Sequence, residues 1–478
     1  MKSTSPGASS VEPVRPALST VSERSPRDQK VHLKTIVPGP KSRALRERED
    51  AHMAPGLQGY AVMAGLVVDH AVGSAVTDVD GNTFLDFIGG IGVNALGHAH
   101  PAVVSAIQRQ VAKAHVGSFT SAARVDLVER LAAHAPSPEL HRVQLYSGGA
   151  EAVESALRLA KSHTKKYEFV SFWGGFHGKT MGALSLMGST FKEDLGPMVP
   201  GSHLVPYADC YRCPIQSTYP TCGLGCVEVG RKQIKMAGAG SIAAVIVEPM
   251  QGTAGNVIPP DDFLPAVRSV ASDVGALLIV DEMITGFGRT GTWWGVEHSG
   301  VVPDIVTIGK AFGGGFPLSG LITRDGIANA KPWSASSGSS SSYGGNPLAA
   351  AAGSAAIRAI EEEQLVDNAR NVGAAMLDAL RPFVDDYPFV GEVRGRGLLL
   401  AIELVKDKKT RAPLARTTTR RIFDECVRRG LLTMSYAPSF RIQPALTIDR
   451  DTAMNGVAIL REVFDLVLRE RAWEGEQA

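Results

Sequence analysis

The chain has 478 residues, 44% hydrophobic and 20% charged, with Lys plus Arg at 49 against Asp plus Glu at 48. That balance argues against a basic nucleic-acid or membrane-surface protein, and no apolar run approaches the roughly 18 residues of a spanning helix. The length fits two or three domains, and 51 glycines imply many tight turns.

Residues 1–45 are rich in Ser, Pro, Arg and Glu without hydrophobic periodicity, which predicts a disordered tail. No apolar segment of the secretory kind follows the N-terminus, and Glu12, Glu23 and Asp28 count against a transit peptide. The cytoplasm is the expected compartment. Residues 66–87 alternate apolar and polar side chains about Asp80-Gly81-Asn82 and predict a β-hairpin. A Gly-rich loop, 88–100, precedes helical periodicity over 101–112. Residues 143–146 predict a short strand. Ser147-Gly148-Gly149-Ala150 then opens a helix with Val153, Ala156, Leu157 and Ala160 on one face. A small-residue loop at a helix start is an anion site, because free amides and the helix dipole both favour a phosphate.

Cys210, Cys213, Cys222 and Cys226 are spaced C-x2-C-x8-C-x3-C inside an insert, 207–228. The spacing admits a tetrahedral zinc site, two disulfides or four packed thiols. A cytoplasmic setting argues against stable disulfides. Cys426 stands alone and is expected to be buried.

Three apolar runs follow. Residues 241–247 lead into Glu248, 276–280 into Asp281, and 304–308 through Gly309 into Lys310. Short continuous apolar runs bounded by turns fit strands covered on both faces. In open α/β sheets ligands bind at the carboxyl ends of such strands, so an acid and an amine are expected to face one crevice. A lysine can hold pyridoxal phosphate as a Schiff base while an aspartate keeps its pyridinium nitrogen protonated. Either residue alone reads better as a turn cap or a surface lysine. Together, with Gly-rich turns after both, they point to a functional pair. Residues 336–347 are Ser-rich and read as a loop. Residues 392–404 predict a strand pair.

The segments DEMITGFGRTG, from Asp281, and GKAFGGGFPLSG, from Gly309, resemble the core of the class III pyridoxal-phosphate-dependent aminotransferases of fold type I. The resemblance extends over roughly residues 65–447 and covers 4-aminobutyrate, ornithine and omega-amino acid aminotransferase-like enzymes. It implies an α/β large domain with a mostly parallel central sheet flanked by helices, and a smaller α+β domain built from both chain ends. The expected boundaries are 46–100 for the N-terminal part of the small domain, 101–350 for the large domain and 351–478 for the C-terminal part.

The same resemblance assigns roles. Lys310 carries pyridoxal 5'-phosphate and moves the proton; Asp281 holds the ring nitrogen. Gly149 and Ala150 supply amides to the phosphate, with Gly148 standing where the family often has Ser or Thr. Phe176, followed by His177, stacks on one face of the ring, and Met283 packs under the other. Ile284 replaces a glutamine found in many relatives. Glu248 pairs with a mobile arginine, Arg441, which meets a substrate carboxylate. Lys179 replaces an arginine that 4-aminobutyrate enzymes use for a distal carboxylate, which favours a donor such as an omega-amine, a diamine or an amino sugar. Ser342 replaces a threonine that reaches the phosphate of the neighbouring subunit, so a homodimer with shared active sites is expected. The implied reaction moves an amino group from an omega-amine or amino acid to 2-oxoglutarate or pyruvate. The alternative is an amino-acid racemase or epimerase on the same fold, because the cysteine-rich insert also occurs near such enzymes.

Overall fold

The computed structural model describes residues 30–474. Most of the predicted tail, 1–29, lies outside the described residues. Residues 30–45 depart from that expectation. The His32 backbone bridges to Thr83, and the amides of Lys34 and Thr35 donate to Asn82 Oδ1 at 2.7 and 2.9 Å. The amides of Lys41 and Ser42 donate to Asp80, at the start of helix Pro40–Asp50. Composition hid this order, because a polar turn holds the segment in place of a hydrophobic stripe.

The predicted hairpin is a three-stranded meander of β1 (Val68–Val72), β2 (Ala75–Asp78) and β3 (Thr83–Asp86), with the Asp80-Gly81-Asn82 turn joining the last two. The central sheet has seven strands: β4 (Arg142–Tyr146), β5 (Glu168–Phe172), β6 (Ser202–Val205), β7 (Ile242–Val247), β8 (Leu277–Asp281), β9 (Ile305–Ile308) and β10 (Ser319–Thr323). Their order is β4-β10-β9-β8-β7-β5-β6. Only β10 runs against its neighbours, so β4, antiparallel to β10, regains the common direction. Strands β5, β6 and β10 have no counterpart in the sequence reading.

Side-chain alternation sorts this sheet into two cores. Ala244, Ile246, Ile279, Ile305 and Leu321 pack with Val153, Ala156 and Ala160 of helix Gly149–Thr164. Val245, Val247, Leu278, Val280, Val306 and Ile308 pack into the main core on the other face. Both faces are covered, which is why these strands read as unbroken apolar runs.

The C-terminal sheet joins β11 (Val390–Arg396), β12 (Leu399–Asp407), β13 (Ala412–Pro413) and β15 (Ser439–Ile442), while β14 (Leu431–Leu432) pairs with β3. Both chain ends thus contribute to the same side of the molecule. Helix Pro347–Glu362 crosses the expected 350/351 boundary and packs on helices Pro101–Val111 and Ala122–Ala133. Among the described residues no helix is long and apolar enough to cross a membrane.

The C-terminal sheet docks by backbone contact. Gly397, at φ +53° in the β11–β12 turn, lies against the backbone of Arg289 and Thr290. A Cβ on Gly373, inside helix Leu365–Leu380, would overlap the Gly397 backbone. Overpacking costs about 1–3 kcal/mol, more than the ~1 kcal/mol that alanine gains over glycine in a helix. Gly373→Ala is therefore expected to lower the melting temperature in a thermal scan. A rise would mean that the helix shifts freely.

Candidate functional site

Register sets the site. Val247 lies beside Val280, and Asp281 beside Thr307, on adjacent parallel strands. The residues after β7, at the end of β8 and after β9 therefore emerge at one carboxyl edge: Glu248, Asp281 and Lys310. Tyr146 ends β4 at the same edge and leads into Ser147 and Gly148. The Ser319 hydroxyl donates to the Gly148 carbonyl at 2.8 Å and ties this loop to β10.

Asp281 is fully buried. Its Oδ2 lies 2.7 Å from His177 Nδ1, and its Oδ1 accepts from the Met283 amide at 3.1 Å. Burial works to lower the His177 pKa, but the hydrogen bond and charge of Asp281, with Glu248 behind, raise it above the ordinary value. Glu248 is also buried, and burial raises its pKa against the opposing charge of His177.

Lys310 lines the cavity in front of this pair. Its backbone sits at φ +47°, a left-handed conformation that costs a lysine roughly 1–2 kcal/mol. Desolvation lowers its pKa, while Asp281 and Glu248 oppose and Arg441 adds to the lowering. The site therefore favours a neutral amine more than water does.

The expected Glu248–Arg441 ion pair does not form. Glu248 accepts from the Phe176 amide at 2.9 Å and the Gly252 amide at 3.0 Å. Arg441, on β15, reaches the Gly252 carbonyl at 3.5 Å. Two backbone donors hold the carboxylate without the guanidinium.

Ser147, Gly149, Ala150, Phe176, His177, Asp281, Met283 and Lys310 face one cavity of about 380 Å³. Its lining, an aromatic ring, a thioether and the first amides of a helix, suits a flat phosphorylated ring. A Cβ on Gly309 would lie 2.6 Å from Met283 Sδ, and one on Gly149 3.1 Å, so two glycines leave Met283 its place on the floor. Helix Gly149–Thr164 makes its first backbone bond from Ala152 to Gly148, so the amides of Gly149 and Ala150 precede the ladder.

The family model for the class III aminotransferases matches residues 58–464. The chain belongs to the class III aminotransferases. A leucine/methionine racemase of Thermococcus litoralis is 33% identical over 82% of this chain and 89% of its own. An acetylornithine aminotransferase of Streptomyces coelicolor is 37% identical over 82% of this chain and 89% of its own. The structure of an amine transaminase from an uncultivated Pseudomonas species, in its PLP-bound form, superposes with a TM-score of 0.81. It is 35% identical and covers 87% of this chain and 98% of that one. This class III aminotransferase thus has the fold type I architecture and uses pyridoxal 5'-phosphate.

Some expected residues of the aminotransferase lie elsewhere. Lys179 is exposed, with its Nζ 4.7 Å from the centroid of the Phe191 ring, and does not line the cavity. Phe191 in turn packs edge-on against Phe176 at 5.8 Å, a neighbour the sequence reading missed. Ile284 packs with Met250 and Leu399 rather than facing the cavity. Ser342 is exposed and outside its own chain's cavity. Val93, Phe316 and Pro317 line the cavity and were not singled out by sequence. Neither these nor the His177–Asp281 bond carry a local signal, because all depend on loop placement.

The four insert cysteines are near neighbours. Burial, then the charges of Cys226, Cys213 and Cys222, push the Cys210 thiol up to about 11. All are free thiols, and among the described residues no group of three His, Cys, Asp or Glu is arranged to hold a metal. The zinc geometry allowed by the spacing does not form. Cys426 is buried, as expected.

Glu282, beside Asp281, faces away from the cavity. It accepts from the amides of Gly295 at 2.9 Å and Val296 at 2.8 Å, and from the Thr285 hydroxyl. Burial raises its pKa from 4.5 to about 7. The folded state thus keeps this proton when the unfolded state has lost it, so stability falls as pH rises from 4.5 to about 7. The loss is of order 3 kcal/mol at most. Glu282→Gln is expected to remove it. The melting temperature of the wild type should fall relative to the variant across that pH window, and a constant difference would contradict the assignment.

Proposed function

We propose that this aminotransferase draws its amino group from an omega-amine or amino acid, delivers it to 2-oxoglutarate or pyruvate, and uses Lys310 as the proton carrier. The observation that carries this reading is a desolvated amine on a strained backbone, facing the same crevice as the Asp281–His177 pair. Pyridoxal 5'-phosphate, when bound, supplies the carbonyl that receives the amino group and the ring that takes up electrons from the donor carbon.

The chain's own residues do the rest. Neutral Lys310 would accept the proton of the amine-bearing carbon of the donor on its Nζ and give it up again as the amino group moves. Asp281, fixed by His177 and the Met283 amide, presents its negative charge to the ring nitrogen. Phe176 and Met283, which both line the cavity, would hold the ring and keep water from it. The amides of Gly149 and Ala150 take the phosphate at the helix start. Arg441 binds the carboxylate of the 2-oxo acid. The working unit is a homodimer. Ser342 is exposed and away from its own cavity, as a residue serving a neighbouring subunit has to be.

Lys310→Ala is expected to lower the half-reaction rate by about 10²–10⁴-fold or more, while the cofactor still binds and can be removed by dialysis. Retained activity in a stopped-flow absorbance assay would remove Lys310 from this role. Omitting the 2-oxo acid separates the two chemistries on this fold. An aminotransferase stops after one donor per site. Continued loss of optical rotation from an L-amino acid would identify racemase chemistry, the activity named for the Thermococcus relative.

A further inference from the structure

A second cavity lies at the far end of the helix whose start faces Lys310. Near the end of helix Gly149–Thr164, Arg158, Lys161 and Ser162 share one face, and Lys165 follows one turn on. With Trp333 and Gly338 they line a space of about 370 Å³. Arg158 stands roughly 12 Å along the helix from Ala150, so this space is separate from the Lys310 cavity.

Two of the cations hold the opposite wall. Arg158 Nη1 donates to the Gly338 carbonyl at 3.1 Å, and Lys165 Nζ to the Lys331 carbonyl at 2.6 Å. That wall is compact. The Gly338 amide donates to the Ala335 carbonyl at 2.8 Å, a Cβ on Gly338 would overlap the Pro332 and Trp333 carbonyls, and the Trp333 indole donates to Ser155 Oγ at 3.0 Å. Arg158 and Lys165 are thus fixed in place with most of their N–H donors still unused.

Holding the wall accounts for Arg158 and Lys165 but not for the residues between them. Lys161 Nζ has only the Phe169 ring, at 5.4 Å from its centroid. Ser162 is 7% exposed and lines the cavity, and its hydroxyl has no partner among the described residues. The helix dipole explains a lysine in the last turn, but not a buried hydroxyl left open beside it. No carboxylate answers the charge. Glu151 accepts from the Ser147 amide at 3.1 Å, and Glu154 from the Thr180 hydroxyl at 2.6 Å and the Ala183 amide at 3.0 Å. Among the described residues none of the three cations is paired with an acid.

We propose that this cavity binds a phosphate dianion, free or carried by a small ester. Three cations and a hydroxyl around one opening match the charge and the acceptor oxygens of that group. The space is large enough for the body of an ester to lie against Trp333. The site is independent of the aminotransfer chemistry.

The test is calorimetric titration of the holoenzyme, freed of excess cofactor and phosphate. The ligands are inorganic phosphate, glycerol 3-phosphate and adenosine monophosphate, with glycerol as the neutral control. A phosphate-bearing molecule is expected to bind, more weakly as salt is raised, while the visible absorbance of the bound cofactor stays unchanged. Tighter binding of an ester names an ester as the source, and tighter binding of inorganic phosphate names the free ion; either supports the site. Lys161→Gln is expected to weaken binding about tenfold and Ser162→Ala about three- to tenfold, with the half-reaction rate within about twofold of the wild type. No binding of any of the three phosphates overturns the proposal. So does equal binding of glycerol, or binding that neither variant weakens. Loss of the cofactor absorbance in step with occupancy also overturns it, because the ligand then enters the Lys310 cavity.

Discussion

Burying carboxylates at the edge of a parallel sheet is costly unless each finds a partner, and the Asp281–His177 hydrogen bond is how this protein meets that constraint. It joins the end of β8 to the loop after β5, segments more than a hundred residues apart in the chain. Glu248 is satisfied separately, by the Phe176 and Gly252 amides. The same Phe176 loop therefore supplies a ring to the cavity, a donor to one acid and, one residue on, the partner of the other. Moving that loop would disturb all three. Lys310 then stands before a carboxylate that is already paired, so its amine is governed by desolvation more than by attraction.

The C-terminal sheet is attached with little freedom. Arg289 is fully buried and donates to the Leu398 carbonyl at 3.2 Å and to the Pro444 carbonyl. Among the described residues no acid pairs with it, and burial lowers its pKa to about 10. Asn256 donates to the Leu400 carbonyl at 2.7 Å and accepts from Gln443 at 2.7 Å. These bonds run from the loops of the large sheet to the start of β12 and to the residues that follow β15, the strand that carries Arg441. The position of Arg441 is thus fixed from the side of the Lys310 cavity. The cysteine-rich insert reaches the same strands, because Arg212 pairs with Glu403 at 2.8 Å and Glu403 also pairs with Arg394 at 2.9 Å. The insert works as a strut onto β12, with its thiols free.

The charged groups around the cavity are held by different means. Arg441 has the Gly252 carbonyl near it, while the Glu248 carboxylate is held by the Phe176 and Gly252 amides. The exposed Lys179 lies on Phe191, so the cation nearest in sequence to His177 contributes to the wall behind Phe176 rather than to the cavity. Charge in this cavity comes from residues distant in the chain, which is why its polarity could not be judged from any one motif.

Much of the site was legible in the sequence because strand ends carry their chemistry locally. The apolar runs before Glu248, Asp281 and Lys310 had to be buried strands, and parallel strands buried on both faces present their carboxyl ends together. The Gly148–Ala150 loop was legible as a helix start by the same local logic. What the sequence could not decide was pairing across the fold. Strand β10 entered antiparallel without a strong apolar signal, residues 30–45 were ordered by the Asp80 and Asn82 side chains, and Glu248 took backbone amides in preference to Arg441. Each outcome depends on which donor comes within ~3 Å of which acceptor. The sequence by itself determined which residues could do the chemistry; the tertiary structure alone decided which of them are satisfied by one another and which are left open for a ligand.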